Sequence, residues 1–226
     1  MSTAGGAITV HGLVKEFVNH HAGSKRRVLD GVELAVPAGS CVALTGASGS
    51  GKSSLLRCLY RTYLPDAGSA LVDVPGGEVD MAVADERTVL DVRRRWVALV
   101  SQFLRVVPRL SARTLVCDSG GMSLSDAGAL LAELGLTAER VDAPPATFSG
   151  GERQLVNIAM ALARSVPVLF LDEATAALDS QRRARVLAAV RERKQAGTTV
   201  LAVFHDVPAI GGLVDDVRLL KKGRVV

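Results

Sequence analysis

Short apolar runs alternate along the chain with stretches in which apolar residues recur at helical spacing. The runs predict strands at 41–45, 96–100, 168–172, 198–204 and 216–220. The helical spacing predicts helices that begin near Lys52 and that span 85–95, 151–164 and 180–195. Strands that are apolar on both faces occur in parallel sheets covered by helices. The pattern therefore predicts an α/β fold with a mostly parallel sheet.

The first part of the chain has the period-two alternation of strands instead. Residues 8–17 alternate as an edge strand does, and 28–36 predict a second strand. The polar stretch 18–27 between them is predicted to be a loop, and residues 69–83 predict a hairpin that turns at 75–77. We therefore expect an antiparallel β subdomain at the N-terminus.

The pattern changes between residues 103 and 148, where short helical pieces such as 125–135 are separated by Pro, Gly and Ser. We expect an inserted, shortened helical subdomain there. A length of 226 residues suits one large α/β domain. The chain 1–226 is therefore predicted to be a single domain whose core comprises 1–102 and 149–226.

Composition narrows the classes of function. The net charge is +4 and the pI is about 9.2, but the basic residues are scattered and are not interleaved with aromatics, so we expect no nucleic-acid partner. The three cysteines are far apart and show no C-x-x-C spacing, which is typical of reduced thiols in the cytoplasm. No signal peptide is evident, and no apolar run approaches the ~18 residues of a membrane span. We expect a cytoplasmic chain that does not itself cross a membrane.

The sequence "GASGSGKS" at 46–53 satisfies G-x-x-x-x-G-K-[ST], the phosphate-binding P-loop pattern. Glycines let backbone N–H groups curl around a phosphate, Lys52 reaches the β- and γ-phosphates, and Ser53 binds Mg²⁺. The alternative is a flexible Gly/Ser loop, but the apolar strand before it and the periodic helix after it favour a P-loop NTPase that uses ATP and Mg²⁺. The predicted nucleotide contacts are Gly46, Ala47, Ser48, Gly49, Ser50, Gly51, Lys52, Ser53 and Ser54.

Two adjacent acids follow the apolar run at 168–172. Asp172 is predicted to be the second Mg²⁺ anchor, and Glu173 the general base that polarises the attacking water. The alternative is an acidic pair that caps the next helix. Gln102 and His205 also follow predicted strands, so Gln102 is expected to reach the metal or its water and His205 a phosphate. Ligands of parallel sheets bind beyond the carboxyl ends of the strands, so these groups should converge at one edge.

A second possible anion site precedes this strand. In "FSGGERQ" at 148–154, Ser149, Gly150 and Gly151 open a predicted helix, whose N-terminus favours anions. The alternative is an ordinary helix start with Ser149 as its N-cap. One nucleotide cannot easily use two such helix starts in one domain, which indicates two subunits that share nucleotides.

Taken together, these segments resemble the nucleotide-binding subunits of ABC-type ATPases across nearly the whole chain. The P-loop is similar to Walker A, Gln102 to the Q-loop, "FSGGE" to the family signature, "VLFLDE" to Walker B, "AALD" at 176–179 to the D-loop, and His205 to the H-loop. The resemblance implies that Phe17 stacks on adenine, although a core position at a strand end is the alternative. It also implies a second, identical or homologous subunit, whose nucleotide is contacted by Ser149, Gly150, Gly151, Glu152 and Asp179.

Four further segments, at 59–72, 100–112, 146–159 and 203–206, resemble the PhnL family of the bacterial carbon–phosphorus lyase system. This resemblance implies a cytoplasmic, phosphonate-processing assembly with other lyase subunits, associated with forming ribose 1-phosphonate 5-triphosphate from ATP. Two alternatives remain open: the ATPase subunit of a transporter with a separate membrane-spanning partner, and a nucleotide-gated structural subunit with little turnover.

Three substitutions depart from the usual ABC pattern and support the structural alternative. Ala174 stands where proline is usual, and Leu155 and Met160 stand where arginines are usual. The stretch between Gln102 and Ser149 is also shorter than usual, which affects the surface expected to meet a partner.

Overall fold

The computed structural model describes residues 7–19, 23–101, 109–204 and 212–226, with Asn19 described by its backbone alone. Within these ranges the strands form a four-stranded and a six-stranded sheet. The ten strands are β1 (Ile8–Asn19), β2 (Ser24–Val36), β3 (Cys41–Thr45), β4 (Ala67–Val74), β5 (Gly77–Asp80), β6 (Val97–Val100), β7 (Val168–Asp172), β8 (Thr199–Val203), β9 (Asp216–Lys221) and β10 (Arg224–Val225).

The four-stranded sheet is antiparallel, in the order β2-β1-β4-β5. It confirms the predicted N-terminal β subdomain, but the predicted loop at 18–27 is wrong in part, because β1 continues to Asn19 and β2 already begins at Ser24. One cross-strand pair of opposite charge lies where this extension begins. Glu16 and Arg27 are directly opposite each other, and their side chains form a 2.8 Å ion pair.

The six-stranded sheet has the order β10-β9-β3-β8-β7-β6, and all its pairs except β10–β9 are parallel. Successive side chains of the buried strands enter two different cores. In β7, Leu169 and Leu171 pack on one side of the sheet and Val168 and Phe170 on the other. This period of two explains why these strands are apolar throughout.

Helices cover both faces. They are α1 (Lys52–Leu59), α2 (Glu86–Arg95), α3 (Ala112–Gly120), α4 (Leu124–Glu133), α5 (Ala138–Val141), α6 (Gly150–Ala163) and α7 (Ser180–Gln195), with a 3₁₀ turn at Pro145–Thr147. Within the described ranges, none of these helices has the length and apolar character that a bilayer span requires.

The helices α3 to α5 lie in the stretch that the sequence predicts to be a helical insert. The close contact of α3 with α6 depends on Gly120, since a Cβ there would stand 2.6 Å from the Cβ of Ala163. The division of the chain into a core and an insert stays a prediction.

The carboxylate of Asp215 joins three distant parts of the fold. It accepts hydrogen bonds from the backbone N–H of Cys41 at 2.7 Å and from Nζ of Lys194 at 2.5 Å. Desolvation raises its pKa, but these hydrogen bonds outweigh desolvation and hold the pKa below its ordinary value. The entry to β9 is therefore anchored to β3 and to the end of α7.

Candidate nucleotide-binding site

The loop between β3 and α1 has a backbone that only glycine adopts readily. Gly46, Gly49 and Gly51 have φ angles of 137°, 74° and 110°. A Cβ on Gly46 would stand 2.2 Å from the carbonyl oxygen of Leu220 in β9, and one on Gly51 would stand 2.9 Å from that of Val28. The pattern of glycines is therefore required both by the curl of the loop and by its close packing on two strands.

Lys52 opens α1 and folds back across the loop. Its side chain is buried, and Nζ donates hydrogen bonds to the carbonyl oxygens of Gly46 at 2.8 Å and Ala47 at 3.0 Å. Next to it, Oγ of Ser50 is buried and makes no hydrogen bond within the described part of the chain. A buried hydroxyl without a partner inside a phosphate-binding loop fits a site whose polar groups serve a ligand.

The predicted metal pair is in direct contact. Oγ of Ser53, in the first turn of α1, donates a 2.6 Å hydrogen bond to Oδ1 of Asp172, the last residue of β7. Asp172 is 3 % exposed, and desolvation raises its pKa despite the hydrogen bond from Ser53. A cation would stabilise the charged form of such a carboxylate.

A hydroxyl and a carboxylate are the oxygen donors that Mg²⁺ takes in nucleotide sites, where phosphates and water complete its coordination. The described residues contain no cluster of three or more His, Cys, Asp or Glu that could hold a metal alone. The donor set therefore fits Mg²⁺ bound together with a nucleotide better than a metal held by the protein alone.

Glu173 follows Asp172 with a φ of 52°, a left-handed conformation that is uncommon outside glycine. Such strain concentrates at functional sites. Its side chain lines a cavity of about 290 Å³ over the loop, together with Arg26, Val28, Ser48, Gly49, Gly51, Lys52, Ser53 and Ser54. The structure thus brings the predicted base to one cavity with part of the predicted nucleotide-contact set, whereas Gly46, Ala47 and Ser50 do not line it.

Phe17 lies near the end of β1 and does not line this cavity. Its ring makes an edge-on contact with the ring of Tyr63, with 5.2 Å between centroids, and Nζ of Lys15 lies 5.5 Å from its centre. Stacking of Phe17 on adenine therefore stays a prediction.

The signature residues form the start of α6. Oγ of Ser149 accepts the backbone N–H of Glu152 at 3.3 Å, and the carboxylate of Glu152 accepts the N–H of Ser149 at 2.8 Å. These reciprocal bonds form a capping box. Gly151 lies close to the D-loop, since a Cβ there would be 3.0 Å from the carbonyl oxygen of Ala177. Neither Ser149, Gly150, Gly151 nor Glu152 lines the P-loop cavity.

Asp179 ends the D-loop as the N-cap of α7. Its side chain accepts the backbone N–H of Arg182 at 2.9 Å, which satisfies one of the free N–H groups of the helix start. This cap fixes the position of Asp179, and its role in a shared nucleotide site stays a prediction.

Two amides in α6 have a positioning role that the sequence interpretation missed. Nε2 of buried Gln154 donates to the carbonyl oxygens of Ala174 at 3.1 Å and Ser101 at 3.3 Å, and Nδ2 of Asn157 donates to that of Ser101 at 2.7 Å. They tie the signature helix to the segment after Walker B and to the residue before Gln102. Their only signal in the sequence is polar character on an otherwise apolar face of a helix.

The remaining predicted residues and the departures from the usual pattern are placed as follows. Gln102 and His205 lie outside the described residues. Leu155 and Ala174 are fully buried in the core beside α6, and Met160 packs against it.

This architecture is that of a P-loop nucleotide-binding cassette. It combines the six-stranded sheet that carries the P-loop, the Ser53–Asp172 pair and the added antiparallel sheet. Residues 29–176 match the family model described as ABC transporter, and the chain belongs to that family. The chain is therefore an ABC-type ATPase cassette that binds ATP with Mg²⁺, which confirms the predicted fold class, cofactors and enzyme class.

Several relatives show the same similarity. The chain is 35 % identical over 217 residues to the methionine import ATP-binding protein MetN of Mannheimia succiniciproducens, covering 91 % of this chain and 60 % of the relative. It is 35 % identical over 232 residues to the arginine/ornithine transport ATP-binding protein AotP of Pseudomonas aeruginosa. That match covers 96 % of this chain and 88 % of the relative. This chain thus spans about 60 % of the length of that methionine import protein.

Among solved structures, this chain superposes on the ATP-binding cassette MJ0796 with a TM-score of 0.84. That structure is a dimer in a post-hydrolysis state with ADP and Pi bound. The two sequences are 26 % identical, and the match covers 96 % of each chain.

Proposed function

We propose that this chain is the ATP-hydrolysing subunit of a transporter, attached to the cytoplasmic side of a separate membrane-spanning partner. The observation that carries this proposal is the similarity to ATP-binding proteins of methionine import and of arginine/ornithine transport, the second of which the chain covers over 88 % of its length. Amino acids and similar small solutes are the class of cargo that this similarity favours.

We further propose that two such subunits enclose ATP between them. In support, the capping box at the start of α6 uses the N–H groups of Ser149 and Glu152 but not those of Gly150 and Gly151, which point out of a helix N-terminus as an anion site requires. The residues of this helix start do not line the P-loop cavity of the same chain. The related cassette MJ0796 is dimeric with ADP and Pi. In the proposed dimer, Ser149, Gly150, Gly151 and Glu152 of one subunit approach the nucleotide on the P-loop of the other, and Asp179 lies at the junction.

The chemistry follows from the groups around the P-loop cavity. The loop amides and Lys52 hold the phosphates, and Ser53 and Asp172 provide oxygens for the metal. A Mg²⁺ ion held by these two oxygens would supply positive charge to offset the charge that develops on the phosphates. Glu173 orients the attacking water and accepts its proton. His205 and Gln102, which lie outside the described residues, help to orient the water and contribute no base.

Glu173→Gln tests the role of the base. The variant is expected to bind ATP normally while steady-state phosphate release falls about 100-fold or more, because the amide cannot accept the proton. Glu133→Gln, which changes an exposed acid at the end of α4, serves as the matched control. Turnover of Glu173→Gln close to that of the control would remove Glu173 as the base.

The second candidate function is the PhnL-like role in a phosphonate-processing assembly. It is supported by the sequence segments 59–72, 100–112, 146–159 and 203–206. Affinity purification of the full-length protein from detergent-solubilised cells, with identification of its stoichiometric companions, distinguishes the two functions. A membrane-spanning companion supports transport, whereas carbon–phosphorus lyase subunits without such a companion would overturn the transporter proposal in favour of the second function.

A further inference from the structure

We propose that Arg26 is a further phosphate-binding residue, whose guanidinium contacts the polyphosphate chain of the nucleotide. This inference rests on the proposed nucleotide site at the P-loop. Arg26 lies on β2, outside every motif that the sequence analysis singled out, yet it lines the same cavity as Lys52, Ser53 and Glu173. Its Nη2 is 3.9 Å from the position that a Cβ would occupy on Gly49.

The packing of β2 on the loop holds Arg26 at this place. The register of β1 and β2 shifts between the pairs Lys15–Leu29 and Glu16–Arg27, which makes Val28 an extra residue in β2, and Arg26 and Val28 both line the cavity. Val28 also lines the cavity, and its carbonyl oxygen would be 2.9 Å from a Cβ on Gly51. This close contact positions the preceding part of the strand, and with it Arg26, beside the loop.

Arg26 and its neighbour Arg27 differ in the ion pairs that they form with described residues. Among the residues that the structure describes, no carboxylate forms an ion pair with Arg26, although it faces a cavity built for phosphate. Its neighbour Arg27 contrasts with it. Arg27 donates to Glu16 at 2.8 Å and to Asp30 at 2.9 Å, and it does not line the cavity. Two adjacent arginines thus differ in both partner and direction.

The chemistry of the group fits a phosphate chain. A guanidinium presents parallel N–H groups that match phosphate oxygens, and such charge-assisted bonds are stronger than neutral ones. Because the proposed interaction is with the phosphates, its loss should weaken the binding of ATP more than the binding of adenosine. It should also reduce the salt dependence of ATP binding, since one cation fewer meets the anion.

The test compares Arg26→Gln with Arg27→Gln in the full chain, using calorimetric titration with ATP–Mg²⁺ and with adenosine at low and moderate salt. Arg26→Gln is expected to raise the Kd for ATP about tenfold with little change for adenosine, since a hydrogen bond to a charged group is lost. Arg27→Gln is expected to leave the Kd for ATP within about twofold, although it loses two ion pairs of the hairpin. Arg26→Lys, which keeps the charge, should recover part of the affinity.

Equal affinities of Arg26→Gln and Arg27→Gln for ATP would overturn this inference and leave the proposed nucleotide site standing. The proposed site itself is checked in the same titration with Lys52→Ala. If Lys52→Ala binds ATP as the unmodified chain does, the site proposal fails and the inference fails with it.

Discussion

Gly46→Ala provides the sharpest test of how the P-loop is built into the fold. The new Cβ would be 2.2 Å from the carbonyl oxygen of Leu220 and 3.0 Å from Oγ of Ser50. Ordinary contacts between carbon and oxygen are about 3.3 Å or longer, so the loop and β9 must separate by about 1 Å. Strand β9 cannot yield easily, because it pairs with β3 from Val42 to Thr45 and because the side chain of Leu220 is fully buried.

The expected cost has two parts. A non-glycine residue at a φ of 137° is strained by about 1–3 kcal/mol. Forcing a methyl group into a packed site adds about 1–3 kcal/mol. Together the two costs are about 2–6 kcal/mol, and for a chain of this size each kcal/mol lowers Tm by about 2–4 °C, so Gly46→Ala should lower Tm by roughly 4–24 °C.

Gly76→Ala separates the two parts. Gly76 lies in the turn between β4 and β5 with a φ of 113°, and a Cβ there would have no atom within 4 Å. This variant has the backbone strain without the steric clash. We therefore expect it to lose about half as much stability as Gly46→Ala and to retain ATP binding.

Thermal unfolding followed by circular dichroism and titration with ATP–Mg²⁺ measure both effects. Gly46→Ala should melt below Gly76→Ala and should bind ATP more weakly even where it is folded, because its loop is displaced. Equal Tm values for the two variants, or unchanged ATP affinity in folded Gly46→Ala, would refute the argument from packing.

Three further predictions concern other parts of the fold. Ser149→Ala removes the cap of α6, so we expect the free energy of unfolding to fall by about 1 kcal/mol and ATP turnover to slow. Thermal melts and phosphate release measure these two effects, and unchanged values of both would contradict the role of the cap. Burial raises the pKa of the Cys41 and Cys58 thiols to about 12, so at pH 8 the native protein should be alkylated at the partly exposed Cys117 first. Mass spectrometry checks this order, and equal labelling of all three would count against it. The pKa of Asp215 is lowered in the folded protein, so its ionised carboxylate stabilises the fold at pH values above 3.8, its ordinary pKa. This stabilisation is lost as the pH falls through the folded-state pKa, so Asp215→Asn should flatten the acid side of the profile of Tm against pH. An unchanged profile would show that this carboxylate does not carry the effect.

Local patterns predict much of the secondary structure. The helix predicted at 85–95 is α2, and its boundary follows from Asp85, whose side chain accepts the N–H of Thr88. The predicted strands at 41–45 and 168–172 coincide with β3 and β7. Burial on both faces, capping and turn chemistry act over a few residues, so they can be recognised without the rest of the chain.

The sequence-based predictions are wrong where contacts between residues far apart in the chain determine the local structure. The hairpin formed by β1 and β2 reaches into the predicted loop through backbone pairing that continues from Glu16–Arg27 to Asn19–Ser24 and that includes one ion pair, between Glu16 and Arg27. The short strand β10 was not predicted, because two residues show no period. It is held by its pairing with β9 and by the ion pair between Arg224 and Asp30.

For the site, the sequence by itself determined the phosphate loop, the two acids at the end of a buried strand and the expectation that strand ends converge. The contact between Ser53 and Asp172 agrees with that expectation, because parallel strands align their carboxyl ends. Only the tertiary structure decided that Gln154 joins the signature helix to the segment after Walker B and that Arg26, rather than Arg27, faces the cavity. The physical reason is that a motif is a property of adjacent residues, whereas these roles depend on which surfaces the packed strands and helices bring together.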